Sequence, residues 1–322
     1  MGRVKNGYLP RDCVVPVATV RRRGASLAEL LVIVALAGLI GSIIALTLTR
    51  QQRFYRRAAE VGFVRESLRD ALEVLSADIR QISIVDSVRL KSDSAIEFFS
   101  TIGTSVVCEI AGNEIGLPNG RVSGNSLSGF LAQPDTGDLI ALYTDSGGVA
   151  EKWERHRITA AGSQSLSKSC PVSSGFSYQS DVDAGSGGLV LTVGTAVSAS
   201  VFPGAPVRFL RRQRYSLYHA SDGNWYLGYR RCNAMGAPAC GAIQPVSGPY
   251  RPYSTDSQRS GLVFEYFDSD GRVVDPSETS FALARVDITG RAESAPGISV
   301  GVLPDRISDS ATLTVAIRNR VR

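Results

Sequence analysis

The sequence has little of what catalytic, metal and nucleotide sites are made from. It contains two histidines, His156 and His219, among 322 residues, and it has no CxxC pair. It also lacks a phosphate-binding loop, a dinucleotide-binding fingerprint and a nucleophile elbow. We therefore expect no metal, no cofactor and no enzymatic activity, and we expect both histidines to be structural.

Outside the N-terminus the sequence has no net excess of positive or negative charge. The formal net charge is +5, and the first 24 residues alone account for it, with six basic side chains and one acidic side chain. The rest of the chain is neutral overall, so it lacks the cationic field typical of nucleic-acid-binding proteins. The sequence gives no indication of nucleic-acid binding.

Cysteines are few, and four of the five lie beyond residue 24. These are Cys108, Cys170, Cys232 and Cys240, whereas Cys13 is N-terminal. Four cysteines permit three pairings, and four reduced buried thiols are a further alternative. The short, turn-rich spacing between Cys232 and Cys240 favours that pair and leaves Cys108 with Cys170. Two disulfides would indicate an oxidising compartment.

One long apolar run dominates the N-terminal region. Residues 30–49 contain no charge, and arginines flank the run at Arg21 to Arg23 and at Arg50. Twenty helical residues extend about 30 Å, the hydrocarbon thickness of a bilayer. The pattern predicts a transmembrane helix over about residues 27–49.

The helical pattern continues past Arg50 but becomes amphipathic. Apolar residues recur there at spacings of three and four, with charged residues between them. The predicted apolar stripe comprises Phe54, Ala58, Val61, Val64, Leu68, Leu72, Leu75, Ile79 and Ile82. We therefore expect one helix from Ala25 to about Ile82, whose second half needs a covering surface.

The remaining residues, 84–322, read as a β-rich extracytoplasmic head. The clearest hairpin joins residues 215–219 to 225–229 through Ser221-Asp222-Gly223-Asn224. Segments 111–137 and 161–188 are rich in glycine and serine and are predicted to be long loops. The predicted fold class is α+β, with a long N-terminal helix packed on an antiparallel β-rich head. Further β-like runs occur at residues 96–99, 139–143, 153–158, 189–193, 207–210, 262–267, 284–288 and 311–317.

Two features of the head favour structural over binding roles. One turn resembles part of a calcium-binding loop in its aspartate spacing: Asp268-Ser-Asp270-Gly271 with Asp275. It lacks the remaining ligands of an EF-hand, so a hairpin turn is the simpler interpretation. Arg211, Arg212 and Arg214 are predicted to form a solvated strand face.

Glu29 distinguishes between interpretations of the apolar run. A carboxylate near the end of a membrane helix costs on the order of a few kcal/mol unless it is paired. A secretory signal peptide cleaved near Ala35-Leu36-Ala37 would place Glu29 inside its apolar core, and an uncleaved signal anchor leaves it without a role.

Residues 21–32 resemble the type IV prepilin-like family. Those precursors have a basic leader ending in glycine, a glutamate at the fifth mature position and an apolar helix start. The resemblance implies a leader over residues 1–24, cleavage between Gly24 and Ala25, N-methylation of Ala25 and an assembly role for Glu29. The sequence departs from the family at Ala25, where phenylalanine is usual. Ala37, Gly41 and Ala45 form a small-residue stripe suited to helix packing.

The head carries patterns similar to W-type minor pilins and to J-type pseudopilins of type II secretion. They are the helix end around Asp78, the strand Leu227-Gly-Tyr229-Arg230, and Phe264 and Tyr266 before Asp268. The resemblance implies a single-pass inner-membrane subunit of a pilus-like filament. Its expected partners are other pilin or pseudopilin subunits, a prepilin peptidase and an inner-membrane assembly platform. The alternative is an extracytoplasmic binding protein on an uncleaved signal anchor.

Overall fold

The computed structural model describes residues 26–82, 88, 90–118, 127–144, 152–234, 240–274, 283–294 and 306–317. The predicted processing pair, Gly24 and Ala25, lies outside these residues. The chain divides into two compact units, Met1–Arg57 and Ala58–Arg322.

The first helix, α1, covers Leu27–Ile79. Ser26 precedes it, and the Ser26 hydroxyl accepts the Glu29 backbone N–H at 3.3 Å, which caps the first turn. The predicted C-terminal limit near Ile82 was three residues too long. Gln81 and Ile82 donate to the carbonyls of Asp78 and Ile79 in tight turns, and Ile82 bridges to Ser100 of the sheet. Pairing with the sheet therefore ends the helix.

The second half of α1 buries one face against the sheet, within the second unit. Val64, Leu68, Leu75 and Ile79 are buried there, spaced as one helical face requires. They share a core with Phe98, Tyr215, Phe264, Val286 and Ile288. Phe54 and Ala58 were predicted to belong to the same stripe but are exposed, so the buried face begins at Val64.

The described residues of the head form fourteen strands and short helical turns. The strands are β1 (Leu90–Lys91), β2 (Ala95–Val106), β3 (Glu109–Ala111), β4 (Glu114–Leu117), β5 (Gly129–Phe130), β6 (Leu139–Thr144), β7 (Lys152–Ser165), β8 (Gly187–Val193), β9 (Pro206–His219), β10 (Trp225–Cys232), β11 (Gln244–Tyr250), β12 (Leu262–Phe267), β13 (Arg285–Glu293) and β14 (Ser308–Ala316). The helical turns are α2 (Leu166–Ser169), a 3-10 turn (Val172–Ser174) and α3 (Gln179–Asp183). The coarse prediction of a helix with an antiparallel β-rich head is thus confirmed.

Strand β9 organises the sheet. One of its edges pairs with β2 along almost its whole length, and the other pairs first with β6 and then with β10. The sheet runs in the order β12-β13-β11-β10-β9-β6-β7-β8-β4-β3, with β14 on β13, β2 on β9, and β1 and β5 on β2. Every pairing is antiparallel, and β10 faces β9 in the predicted hairpin, with Trp225 opposite His219.

The two predicted long loops contain regular structure, which corrects the sequence interpretation. Segment 111–137 contributes β4 and β5, and segment 161–188 contains the end of β7, α2 and α3. The end of β7 pairs with β8, but its own side chains are small or polar and exposed. Such a strand lacks the alternation of apolar residues by which strands are recognised in a sequence.

Two disulfides cross-link the head, in the pairing that the cysteine spacing favoured. Cys108 joins Cys170 across a sequence separation of 62, and Cys232 joins Cys240 across a separation of 8. The first tethers the start of β3 to the end of α2 beside Leu166 and Phe176. The second closes the chain beyond β10.

We expect the two disulfides to contribute unequally to stability. Loop-closure entropy grows with the logarithm of loop length, so Cys108→Ala/Cys170→Ala should lower the free energy of unfolding by about 2 kcal/mol more than Cys232→Ala/Cys240→Ala. Urea unfolding of the full chain in detergent, followed by tryptophan fluorescence without reductant, measures this difference. Cys13→Ala is the control, and equal losses in the two double variants would contradict the loop-length argument.

Candidate functional sites in the apolar segment and at the helix end

The first candidate site is the apolar segment, residues 27–49 at the start of α1. Its large apolar side chains are between 51% and 80% exposed. The helix is long and apolar enough to cross a membrane, and the described residues bury none of its apolar window. An apolar surface of this size requires lipid or other helices to cover it. Its length and composition support a single-pass membrane anchor.

Glu29 lies in the first turn of the apolar segment and has a local role that the sequence interpretation missed. Ser26 and Glu29 have the spacing of a capping box, and the Glu29 N–H donates to the Ser26 hydroxyl. An acidic residue in the first turn also matches the helix dipole. Among the described residues no cation pairs with the Glu29 carboxylate. Within the described residues the Glu29 carboxylate therefore has no counter-charge, and it could bind a cationic group.

The small-residue stripe, Ala37, Gly41 and Ala45, is open surface. All three residues are exposed, and no atom lies within 4 Å of a Cβ built on Gly41. A second helix would meet only small side chains along this face, so the two backbones would approach closely. Its packing role stays a prediction.

The second candidate site is the helix-end cluster, formed by Asp78, Gln213 and Tyr215. Gln213 and Tyr215 are alternate residues of β9, so both point to the same face of the sheet, toward the last turn of α1. The Asp78 carboxylate accepts the Gln213 amide at 3.0 Å and also accepts the Tyr215 hydroxyl. An acid in the last turn opposes the helix dipole, and α1 has no basic residue there. The two donors offset that disadvantage.

The electrostatics of the cluster follow from its burial. Tyr215 is almost completely buried, and it packs against Tyr229 with 5.4 Å between ring centroids. Burial first, and then the neighbouring Asp78 charge, raise the pKa of the Tyr215 hydroxyl well above its usual range. The phenol therefore remains a neutral donor to Asp78, and the cluster ties the end of α1 to β9. The cluster also lines a cleft of about 500 Å³, together with Arg211, Tyr229 and Gln244.

Arg211 and Arg212 of β9 do not form the predicted solvated face, and Arg214 is half-buried. Arg212 is buried and pairs with the buried Glu97 of β2, while Arg211 pairs with the fully buried Asp138 at 2.8 Å. Strand pairing places these acids beside β9 from positions that are distant in sequence. Buried charges of this kind are tolerated when they are paired, so the arginines hold β9 to its neighbours.

Both histidines have structural surroundings. Buried His156 contacts the Thr195 hydroxyl at 2.8 Å through Nδ1 and Glu154 at 2.6 Å through Nε2, so both ring nitrogens are engaged. Exposed His219 lies against Trp225, with 5.2 Å between the ring centroids.

One group in the described part of the chain has metal-ligand spacing. The oxygen or sulfur atoms of Glu97, Cys232 and Cys240 lie within 4.8 Å of one another. The two sulfurs form a disulfide and are not thiolates, and Glu97 is paired with Arg212. The donor set therefore does not suit a metal ion.

The aspartate-rich turn at residues 268–271 is held by its own backbone. The Asp268 carboxylate accepts the backbone N–H groups of Arg272 and Asp270, each at 2.8 Å. These bonds keep the pKa of Asp268 below its usual value. Asp275 lies outside the described residues. A hairpin turn accounts for the geometry that the structure describes.

We expect Tyr215→Phe to weaken the helix-end cluster in a pH-dependent way. Near pH 7, losing one donor to Asp78 should lower the free energy of unfolding by about 1–3 kcal/mol. The phenol has a raised pKa only in the folded state, so the wild type loses stability as the pH rises above about 10, the value for an unfolded chain. The difference between wild type and variant should therefore shrink above pH 10.

Urea unfolding of the full chain between pH 7 and pH 11 measures both effects. Tyr253→Phe is the matched control, because Tyr253 donates to Asp93 at an exposed site. A Tyr215→Phe curve that parallels the wild type at every pH would show that burial does not suppress ionisation of this tyrosine.

Comparison with known proteins leaves the family resemblance untested. No protein-family model, curated protein or solved structure matches this chain. The resemblance therefore rests on this sequence itself: Gly24, Glu29 and the apolar run, together with the head patterns around Asp78, Tyr229 and Tyr266. The coarse description that the fold supports is an α+β head with two disulfides and an N-terminal helix able to cross a membrane.

Proposed function

We propose that this protein is a non-enzymatic subunit of a type IV pilus-like filament, of the minor pilin or pseudopilin kind. In this proposal a prepilin peptidase cleaves the chain between Gly24 and Ala25, and the head lies on the extracytoplasmic side of the inner membrane. The subunit then joins the assembly-priming or tip complex of a filament. The observation that carries the proposal is the spacing along the sequence of Gly24, Glu29 and the apolar run at the start of α1.

The two halves of α1 support this assignment because their apolar side chains are covered in different ways. The apolar segment is exposed all round, so lipid would cover it before assembly and neighbouring helices would cover it afterwards. The stripe of Ala37, Gly41 and Ala45 would let such helices pack closely. From Val64 onward, α1 is covered by its own sheet instead. Membrane storage and filament packing therefore concern only the first half.

The chemistry of Glu29 supports an assembly role. Cleavage would create a new α-amino group that is mostly protonated near neutral pH, since such groups have pKa values of about 8. Glu29 has no cationic partner among the described residues. Pairing with the amine of a neighbouring subunit would neutralise two charges in an apolar setting, where an unpaired carboxylate costs on the order of a few kcal/mol.

Two of the residues behind the head resemblance, Asp78 and Tyr229, belong to the end of α1 and its surroundings. Asp78 accepts hydrogen bonds from β9, and Tyr229 packs against Tyr215. Tyr266 belongs to the core shared by α1 and the sheet, and its hydroxyl donates to the carbonyls of Ser92 and Ala95. The Asp78 contacts attach the second half of α1 to the sheet, which a subunit that is moved by a force on its helix would require.

An uncleaved signal anchor carrying a binding head is the alternative. It accounts equally well for the exposed apolar segment. The signal anchor does not explain the spacing of Gly24 and Glu29. It also predicts that the leader arginines remain on the mature protein.

We expect the mature chain to begin at Ala25. Mass spectrometry of the protein purified from cells that contain a prepilin peptidase measures its N-terminus and detects any methyl group on Ala25. The same chain from cells without the peptidase, and a Gly24→Val variant, should keep residues 1–24. A mature chain that starts anywhere else would sink the proposal and favour the signal anchor.

We expect Glu29→Gln to be cleaved normally but to be strongly depleted from filaments. Glutamine keeps the size of the side chain and the backbone cap but removes the charge that would pair with an amine. Immunoblots of sheared filaments and of membranes compare assembled with stored protein. Ser26→Ala, which removes the capping hydroxyl, is the control and should assemble nearly as well as the wild type. Normal assembly of Glu29→Gln would exclude the charge-pairing role.

A further inference from the structure

Four arginines follow the apolar segment directly and form what we term the arginine collar: Arg50, Arg53, Arg56 and Arg57. All four are exposed on α1, within the first compact unit. None pairs with an acidic residue in the part of the chain that the structure describes, and the first acid after them in the sequence is Glu60. Within the described residues the collar is therefore a concentrated positive charge without an acidic partner.

The collar is slightly longer than one lipid headgroup layer. Arg50 and Arg57 are seven residues apart, or about 10 Å along a helix. The hydrocarbon core is about 30 Å thick in a bilayer of about 40–45 Å, which leaves a layer of about 5–8 Å on each side. When residues 30–49 fill the hydrocarbon core, the collar begins in the adjoining headgroup layer and ends just beyond it.

An aromatic pair lies at the same level as the collar. Phe54 and Tyr55 are each 69% exposed, with ring centroids 6.0 Å apart in an edge arrangement. Tyrosine concentrates at the membrane–water interface, where its apolar ring and its polar hydroxyl are both accommodated, so Tyr55 carries this indication and Phe54 adds apolar surface beside it. This is a second, independent indication that residues 50–57 contact the headgroup layer.

The four arginines also occupy one side of α1. At about 100° per residue they fall within an arc of about 120°. The centre of the stripe of Ala37, Gly41 and Ala45 lies about 120° from the centre of that arc. The collar can therefore face lipid while the stripe faces another helix.

We propose that the arginine collar binds the phosphate groups of anionic phospholipids, of the phosphatidylglycerol class, and so sets the depth of α1 in the bilayer. A guanidinium offers a planar pair of donors that matches phosphate oxygens, and an anionic surface attracts each arginine placed near it. Lipid phosphate is the source because it lies at the collar's level once residues 30–49 are in the membrane. The proposal needs only that α1 is inserted, so it does not depend on cleavage or on filament assembly.

The test uses the full chain reconstituted in phosphatidylcholine vesicles containing trace spin-labelled phosphatidylglycerol or spin-labelled phosphatidylcholine. Electron paramagnetic resonance measures the immobilised fraction of each lipid and thus their relative association constant. We expect a several-fold preference for phosphatidylglycerol that falls toward one as sodium chloride screens the charges. The variant with Arg50, Arg53, Arg56 and Arg57 all changed to glutamine should lose the preference while remaining in the membrane fraction after alkaline extraction.

A second quadruple variant is the matched control for net charge. It changes Arg69, Arg80, Arg259 and Arg272 to glutamine, four exposed arginines outside the collar, and it should keep the wild-type preference. Equal immobilisation of both lipids by the wild type would overturn the proposal. So would loss of the preference in the control variant, or an unchanged preference in the variant that lacks the four collar arginines. None of these outcomes bears on the N-terminus of the mature chain, which tests the proposed function separately.

Discussion

The head depends on the burial of one face of α1. From Val64 to Ile79 this face contributes apolar side chains to the same core as Phe98, Phe264 and Ile288, which come from strands far apart in sequence. A sheet with one apolar face needs such a cover, and an amphipathic helix needs such a surface. The hydrophobic effect therefore joins the second half of α1 to the sheet, and the helix-end cluster ties the last turn of α1 to β9.

Strand β9 adds ion pairs and hydrogen bonds to this apolar packing. Along one strand, Arg211 pairs with Asp138, Arg212 pairs with Glu97, and Gln213 and Tyr215 hold Asp78. Breaking a buried ion pair leaves an unpaired charge in a poor solvent, which is strongly unfavourable. The paired side chains thus specify the neighbours of β9 as well as stabilising it, and they place the α1 terminus on the sheet.

The first half of α1 obeys a different constraint, because no part of the described chain buries its apolar residues. Among the described residues its apolar length has no cover, and neither the Glu29 carboxylate at one end nor the collar at the other has a partner of opposite charge. Lipid hydrocarbon, lipid phosphate and neighbouring helices are the partners that match these three chemistries. One part of α1 thus packs on the head, and the other part stays exposed among the described residues. This division supports the proposed filament role.

The sequence by itself determined the features that depend on neighbouring residues. An uncharged apolar run located the first half of α1, and hydrophobic periodicity located the second half. The turn chemistry located the hairpin of β9 and β10, and the short Cys232–Cys240 spacing indicated the disulfide pairing. Only the tertiary structure decided that β4 and β5 form within a predicted loop, that Arg212 is buried with Glu97, and that Asp78 meets Tyr215. The residues of these two pairs are 115 and 137 positions apart. Local patterns carry no information about such contacts, because they arise from strand pairing and from helix packing on the finished sheet.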